Sequence, residues 1–332
     1  MSEQDLGIWK PPVDRHQRRN LRFVGTIFGV VLVLAAIVLI ATRGNEFSRA
    51  VGALAKPSPM AIAVLFGAII ASTGLSTIVL LVLIRRFGRV GFSEMLRLVC
   101  ASTLGNFLPL QPGLAGRVAY HHLVNRIPVQ RSVLSLLEAT TVSAFAVALL
   151  IGSLWITQRG IPGVPLAAGE EHAWWLPMLA GLMALPLLPW PQLRPFAIAL
   201  MARWIELLLW ALRAWACFAL VGQEISPRAA LAFGCVAVSA NLVPFIGNGL
   251  GVREWAVGLL ATRLAGVTVE AGLAAELVGR AAEMLFFVPA GLVSAKGIMR
   301  RFREAVADSG HAGIAPVRST ASKPAPSSHP GA

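Results

Sequence analysis

Charged side chains buried in long apolar runs are the residues of this sequence most able to do chemistry. Arg117, Glu138, Glu206, Arg213, Arg253, Glu254, Glu276, Arg280 and Glu283 all lie in or beside such runs. A charge at the centre of a bilayer costs about 2.5–3.5 kcal/mol on insertion scales, so each needs a partner or a task. Arg117 follows Gly113 and Gly116, and Arg253 follows Gly247, Gly249 and Gly251. Glycine lets backbone approach a ligand closely, helix ends present free N–H groups to an anion, and an arginine fork grips phosphate oxygens. This is the chemistry of anion recognition; the plainer reading is a pair of interfacial anchors snorkelling to headgroups.

Glu276, Arg280 and Glu283 are spaced i, i+4, i+7 and share one helix face, as Glu206 and Arg213 do. With Glu138 and Glu254, the first three read as an intramembrane charge network whose simplest role is to fix helix packing. Glu138 has no cation beside it in sequence, so it faces Arg117 or Arg253 across the molecule, or is protonated. His121 and His122 are consecutive and point about 100° apart on a helix, which does not suit a shared metal ion. They read as headgroup-facing polar residues. The sequence calls for no metal and no cofactor.

These residues sit in a chain made mostly of membrane-compatible segments. Of 332 residues, 56% are hydrophobic and 14% are Asp, Glu, Lys or Arg, against roughly 25% charged in soluble domains. Uncharged runs cover 23–42, 57–84, 139–158, 173–193 and 229–252. A crossing helix needs roughly 20 apolar residues, so the class is an all-α polytopic membrane protein. The three Asp, at 5, 14 and 308, all lie in the polar tails. Chemistry that holds Mg²⁺ on paired Asp over a lipid pyrophosphate is therefore excluded, and the P-loop pattern of ATPases is missing. The expectation is a non-enzyme. The net charge of +13 is spread over the ends of apolar runs rather than one soluble face, which suits cytoplasmic loops and anionic headgroups better than nucleic acid. Cys100, Cys217 and Cys235 fall in apolar runs without CxxC spacing and read as small core residues.

Basic clusters set the expected topology. Residues 1–22 form a basic cytoplasmic tail, 23–299 the membrane domain, and 300–332 a disordered cytoplasmic tail rich in Ser, Pro, Ala and Gly. About six full crossings are expected, near 23–42, 60–84, 133–157, 173–191, 204–222 and 271–295, in the cell (inner, cytoplasmic) membrane. Two segments do not suit a continuous helix. Residues 92–116 contain Asn106, Pro109, Gly113 and Gly116, and 226–252 contain Asn241, Pro244, Gly249 and Gly251. Proline removes a backbone bond and clashes with the preceding turn, so both are read as re-entrant or broken helices. Asn106 and Asn241 are 135 residues apart, and each break leads through a short turn to a long apolar helix. Units 92–157 and 225–295 thus read as an inverted-topology repeat, a plan used by transporters with sites on broken helices.

At these residues the chain resembles the transmembrane region of lysylphosphatidylglycerol synthases. The resemblance rests on Asn106, Pro109, Gly113, Gly116 and Arg117 in the first half, and on Pro244, Gly247, Gly249, Gly251, Arg253 and Glu254 with an Arg-bearing last helix in the second. It covers about 20–298. It implies a flippase-like domain in its stand-alone form, without the soluble aminoacyl-transfer domain, moving an anionic or modified phospholipid between leaflets. Asn106, Arg117, Asn241 and Arg253 would contact the headgroup. One departure is Glu138-Ala-Thr, where relatives often carry Glu-Arg. Expected partners are membrane phospholipid and a lipid-modifying synthase; the oligomeric state stays open. The alternative is a membrane accessory subunit or enzyme of glycolipid or polyprenyl-phosphate metabolism.

Overall fold

The computed structural model describes residues 57–107, 112–159, 175–242 and 251–312, and every regular element among them is helical. The elements are α1 (Pro59–Ile84), α2 (Phe92–Asn106), α3 (Pro112–Leu123), α4 (Val129–Arg159), α5 (Trp175–Leu179), a 3₁₀ helix (Ala180–Leu187), α6 (Arg194–Leu220), α7 (Pro227–Asn241), α8 (Val252–Leu264) and α9 (Val269–Ala312). Four helices are long and apolar enough to cross a membrane: Pro59–Ile84, Val129–Thr157, Arg194–Leu220 and Val269–Ala305. The expected first crossing at 23–42 lies outside the described residues, as do Pro109, Pro244, Gly247 and Gly249.

Local chemistry explains the starts and stops. Ser58 and Ser226 cap α1 and α7 by accepting the amides of Ala61 and Ala229, each with proline in the first turn. Gly251, at φ 80°, starts α8 from a left-handed conformation that favours glycine. Three expectations change. α6 begins at Arg194 rather than near 204, because Pro195 falls in its first turn, where a missing N–H costs no bond. The described part of 173–191 is a five-residue α-helix running into a 3₁₀ helix with Pro186 inside it, not one continuous α-helix. α9 continues to Ala312, so 300–312 is helix rather than disordered tail; Arg300, Arg301, Arg303, Glu304 and Ala305 are all good helix formers.

α1 and α6 run antiparallel. Val79 and Leu83 share a core with Ala199 and Ala202, while Leu65 and Ile69 pack with Leu207 and Ala211. Where α1 ends, α2 begins, α3 ends and the far part of α9 passes: Ile84, Val90, Met95, Tyr120, Ile127, Ile298 and Phe302 form one cluster. Arg85, Arg86, Arg89, Arg126, Arg131, Arg194, Arg300, Arg301 and Arg303 belong to element ends and loops on this side, the basic end of the molecule.

Two short antiparallel hairpins sit in this frame. α2 is 15 residues long and α3 is 12; α2 measures about 22 Å, less than the roughly 30 Å hydrocarbon core. α2 starts and α3 finishes at the basic end, so the first hairpin opens there. α7 and α8, of 15 and 13 residues, open at the opposite end, where α6 finishes and α9 starts. A Cβ on Gly234 would press the Ala211 backbone and one on Gly258 the Leu273 side chain, the close small-residue packing typical of membrane helices. The two tips converge on α9. Phe107, at the first tip, meets Phe287 with ring centroids 6.4 Å apart, and Arg253, at the second, reaches Glu283.

Candidate functional site

The tips carry the predicted residues, but the two halves differ chemically. Asn106 and Asn241 are the last residues of α2 and α7. Among the described residues, their buried Oδ1 atoms have no hydrogen-bond partner. Asparagine therefore ends both first hairpin helices, as the sequence repeat implied. The arginines do not correspond as closely: Arg117 is the sixth residue of α3, whereas Arg253 is the second of α8.

Arg253 is 1% exposed and lies in a closed ionic network. It pairs with Glu276, and its Nη1 is 3.1 Å from Glu283 Oε1. Glu283 also accepts from Arg213 of α6 and lies 3.5 Å from Arg280. Arg280 in turn donates to Glu254 at 3.0 Å. Three guanidinium and three carboxylate groups from α6, α8 and α9 thus balance, with the Trp210 ring 3.9 Å from the Arg213 guanidinium carbon. Balanced pairing with hydrogen bonds is what makes buried charge tolerable. Of the expected network, Glu254, Glu276, Arg280 and Glu283 are brought together, and Arg213 is the member the sequence did not connect to them. Arg253 is occupied by carboxylates rather than presented to a ligand.

Glu138 is a correction. It pairs with Arg86, in the turn after α1, and faces neither Arg117 nor Arg253. The Arg86 guanidinium also lies 4.7 Å from the Phe196 ring. Glu206 likewise does not join Arg213: it accepts from Ser76 at 2.6 Å and from Arg203 at 2.7 Å. Helix packing turns these faces apart, which spacing along one helix cannot show.

Arg117 is the exception to charge balance. It is 6% exposed, and among the described residues it donates from Nη2 to Ser102 Oγ at 2.5 Å. Its Nε has no hydrogen-bond partner, and no carboxylate of the described residues lies within ion-pair distance. Ser102 Oγ donates to the Val99 carbonyl at 3.1 Å, which leaves its lone pairs toward Arg117. The hairpin closes tightly above: a Cβ on Gly113 would overlap the Ser102 carbonyl and press on Asn106 Oδ1. At Gly116 a Cβ would meet nothing within 4 Å, so the second glycine of the motif is not needed for close packing.

One cluster escaped the sequence reading. α3 buries Gly113, Arg117, Tyr120 and His121, so the imidazole lies one turn from Arg117 on the same face. Glu94 of α2 accepts from Tyr120 Oη at 3.0 Å and Asn125 Nδ2 at 2.9 Å, and pairs with Arg301 of α9 at 3.4 Å. His121 Nδ1 is 3.0 Å from Asn125 Oδ1. His121 is 2% exposed, so it is not the headgroup-facing residue expected; His122 is exposed. α3 lies outside the four long apolar helices. Burial, reinforced by Arg117 and opposed by Asn125 and Glu94, holds the His121 imidazole below its ordinary pKa. Burial and then Glu94 push the Tyr120 phenol up to about 12. The available signal was that Tyr120, the single tyrosine of the chain, follows Arg117 by three residues.

Among the described residues no cluster of three His, Cys, Asp or Glu could hold a metal ion. The three cysteines are free and buried. No protein-family model, curated protein or solved structure matches the chain. What fold and sequence establish together is that the described residues are helical and include four apolar helices of membrane-crossing length.

Proposed function

We propose that this chain is a lipid flippase that moves an anionic or modified phospholipid between the leaflets of the cell membrane. The observation that carries this reading is Arg117, a buried guanidinium met, among the described residues, by one hydroxyl and no carboxylate, beneath the tip of a short hairpin. A lipid phosphate supplies the missing negative charge and the bidentate acceptor that a guanidinium favours. Ser102 bonds Arg117 and Asn106 Oδ1 lies against Gly113, one turn before Arg117, and the resemblance to the lysylphosphatidylglycerol synthase membrane region points the same way. Arg253 serves this reading as a structural residue.

The two hairpins are re-entrant and form an inverted-topology repeat; their opening at opposite ends and the convergence of their tips on α9 support this. The basic end faces the cytoplasm by the positive-inside rule, and the C-terminal end of α9 lies on that side. At the other end, the described residues carry only Arg159, Arg228 and Arg263 beside Glu224 and Glu270. By length and composition alone, the uncharged run at 23–42 is long enough for a further crossing. Alternating access follows when one hairpin and its long helix rock against the other.

The test is translocation of fluorescently labelled phosphatidylglycerol in vesicles reconstituted with the full chain. Wild-type protein accelerates loss of dithionite-protected label, and Arg117→Ala brings the rate down to that of empty vesicles. An unchanged rate in Arg117→Ala removes the assigned site.

A further inference from the structure

We propose that the first hairpin binds a proton together with its anion, and that His121 is the group that takes the proton. The inference rests on Arg117 as the phosphate-contacting residue and adds what is bound with the phosphate. Its basis is the direction of a hydrogen-bond chain. Glu94 can only accept, so the 2.9 Å contact from Asn125 fixes the amide with Nδ2 toward Glu94 and Oδ1 toward His121. Asn125 Oδ1 can only accept as well, so the 3.0 Å contact assigns the hydrogen to His121 Nδ1. Neutral His121 therefore carries its free lone pair on Nε2. A proton from solvent can add there without breaking any bond of the Glu94–Asn125–His121 chain.

The surrounding charges set when that happens. Arg117 and Tyr120 flank His121 on α3, Glu94 faces it from α2 through Asn125, and Arg301 reaches Glu94 from α9. Arg117 opposes a second positive charge one turn away, while the Glu94 carboxylate favours it and is itself partly neutralised by Arg301. A phosphodiester on Arg117 cancels the opposing charge and leaves the favouring one. Anion and proton then strengthen each other's binding, and reciprocity requires the effect to be equal in both directions. The loaded hairpin gains one negative and one positive charge, so its net charge equals that of the unloaded hairpin.

The decisive measurement is calorimetric titration of dihexanoyl phosphatidylglycerol into the full chain in neutral detergent, in two buffers of different ionisation enthalpy. The phosphodiester keeps its single charge across neutral pH, so protons exchanged belong to the protein. The expected result is net proton uptake approaching one per lipid, with affinity rising by up to roughly tenfold per unit fall in pH. His121→Gln, which keeps a donor toward Asn125 but does not titrate, binds without uptake. Equal heats in both buffers at intact affinity overturn the inference, as does undiminished uptake in His121→Gln. The wild-type comparison stands even if that variant fails to fold. Wild-type affinity in Arg117→Ala defeats instead the assignment of the anion to Arg117. Glycerophosphoglycerol, the same headgroup without acyl chains, forms a second arm: uptake with both compounds assigns the coupling to the phosphodiester, and uptake with the lipid alone assigns it to the whole lipid.

Discussion

Arg117 and Arg253 are both buried near the tips of opposed hairpins, but among the described residues carboxylates meet Arg253 and not Arg117. The two Asn-x-x-Pro segments thus lead into two chemistries. The second hairpin is tied by balanced charge to α6 and α9, and the first keeps a cation that no carboxylate of the described residues meets.

Stability should separate the two directly. Glu283→Gln withdraws the carboxylate shared by Arg213, Arg253 and Arg280 and is expected to cost about 3–5 kcal/mol, the scale for breaking a buried ion pair. Arg117→Leu gives up one bond to Ser102 and relieves a buried charge, so stability should stay within about 1 kcal/mol of wild type or rise. Thermal unfolding in detergent reads both, and a Glu283→Gln protein that melts with the wild type would show that the network does not hold the helices.

The Arg86–Glu138 pair lies nearer the surface, with side-chain exposures of 27% and 18%. Partly exposed pairs contribute about 0–1 kcal/mol. Glu138→Gln is accordingly expected to unfold close to wild type and to translocate labelled lipid at the wild-type rate. A severe loss of translocation would return Glu138 to the site from which the Arg86 contact removes it.

The two glycines of the first motif should respond differently to alanine. Gly113→Ala places a methyl against the Ser102 carbonyl and should destabilise by about 1–3 kcal/mol, the range for overpacking. Gly116→Ala enters open space inside a helix, where alanine is preferred by up to about 1 kcal/mol. Melting temperatures of the two variants should move in opposite directions.

Re-entrance can be read from labelling sidedness in a background with the three cysteines replaced. Cysteines introduced at Gly91 and Arg126 flank the first hairpin and should react with an impermeant maleimide from the same side. One at Gly266, beyond the second hairpin, should react from the other. Labelling of 91 and 126 from opposite sides would make the segment a full crossing.

Much of the architecture was legible because lipid makes it so. A backbone without water must form long helices, and an apolar stretch has few ways to stop one. Asn106 and Asn241, each followed three residues later by proline, therefore marked true helix ends. Charge partners were not legible. Arg86 meets Glu138 across 52 residues, and Arg213 meets Glu283 across 70. Those pairings depend on how α1, α4, α6 and α9 are rotated about their axes, which packing decides. The same holds for Trp204, which is buried and donates its indole N–H to the Met178 carbonyl at 3.1 Å. Arg117 was legible as a candidate from the glycines before it, but its lack of a carboxylate appears only once the neighbouring helices are in place.

Pro289 lies within α9, just past Phe287, where the first tip rests, and Glu283, to which the second is tied. Proline donates no amide hydrogen, so the Leu285 carbonyl loses its helical partner and the helix is weakest against bending there. Toward the basic end, Gly291 lies under Leu104, and Ile298 and Phe302 pack with the first hairpin. On the other side, Glu276, Arg280 and Glu283 are bound to the second. The missing bond of α9 thus falls between Glu283, where the second hairpin is tied, and Gly291, Ile298 and Phe302, along which the first hairpin packs.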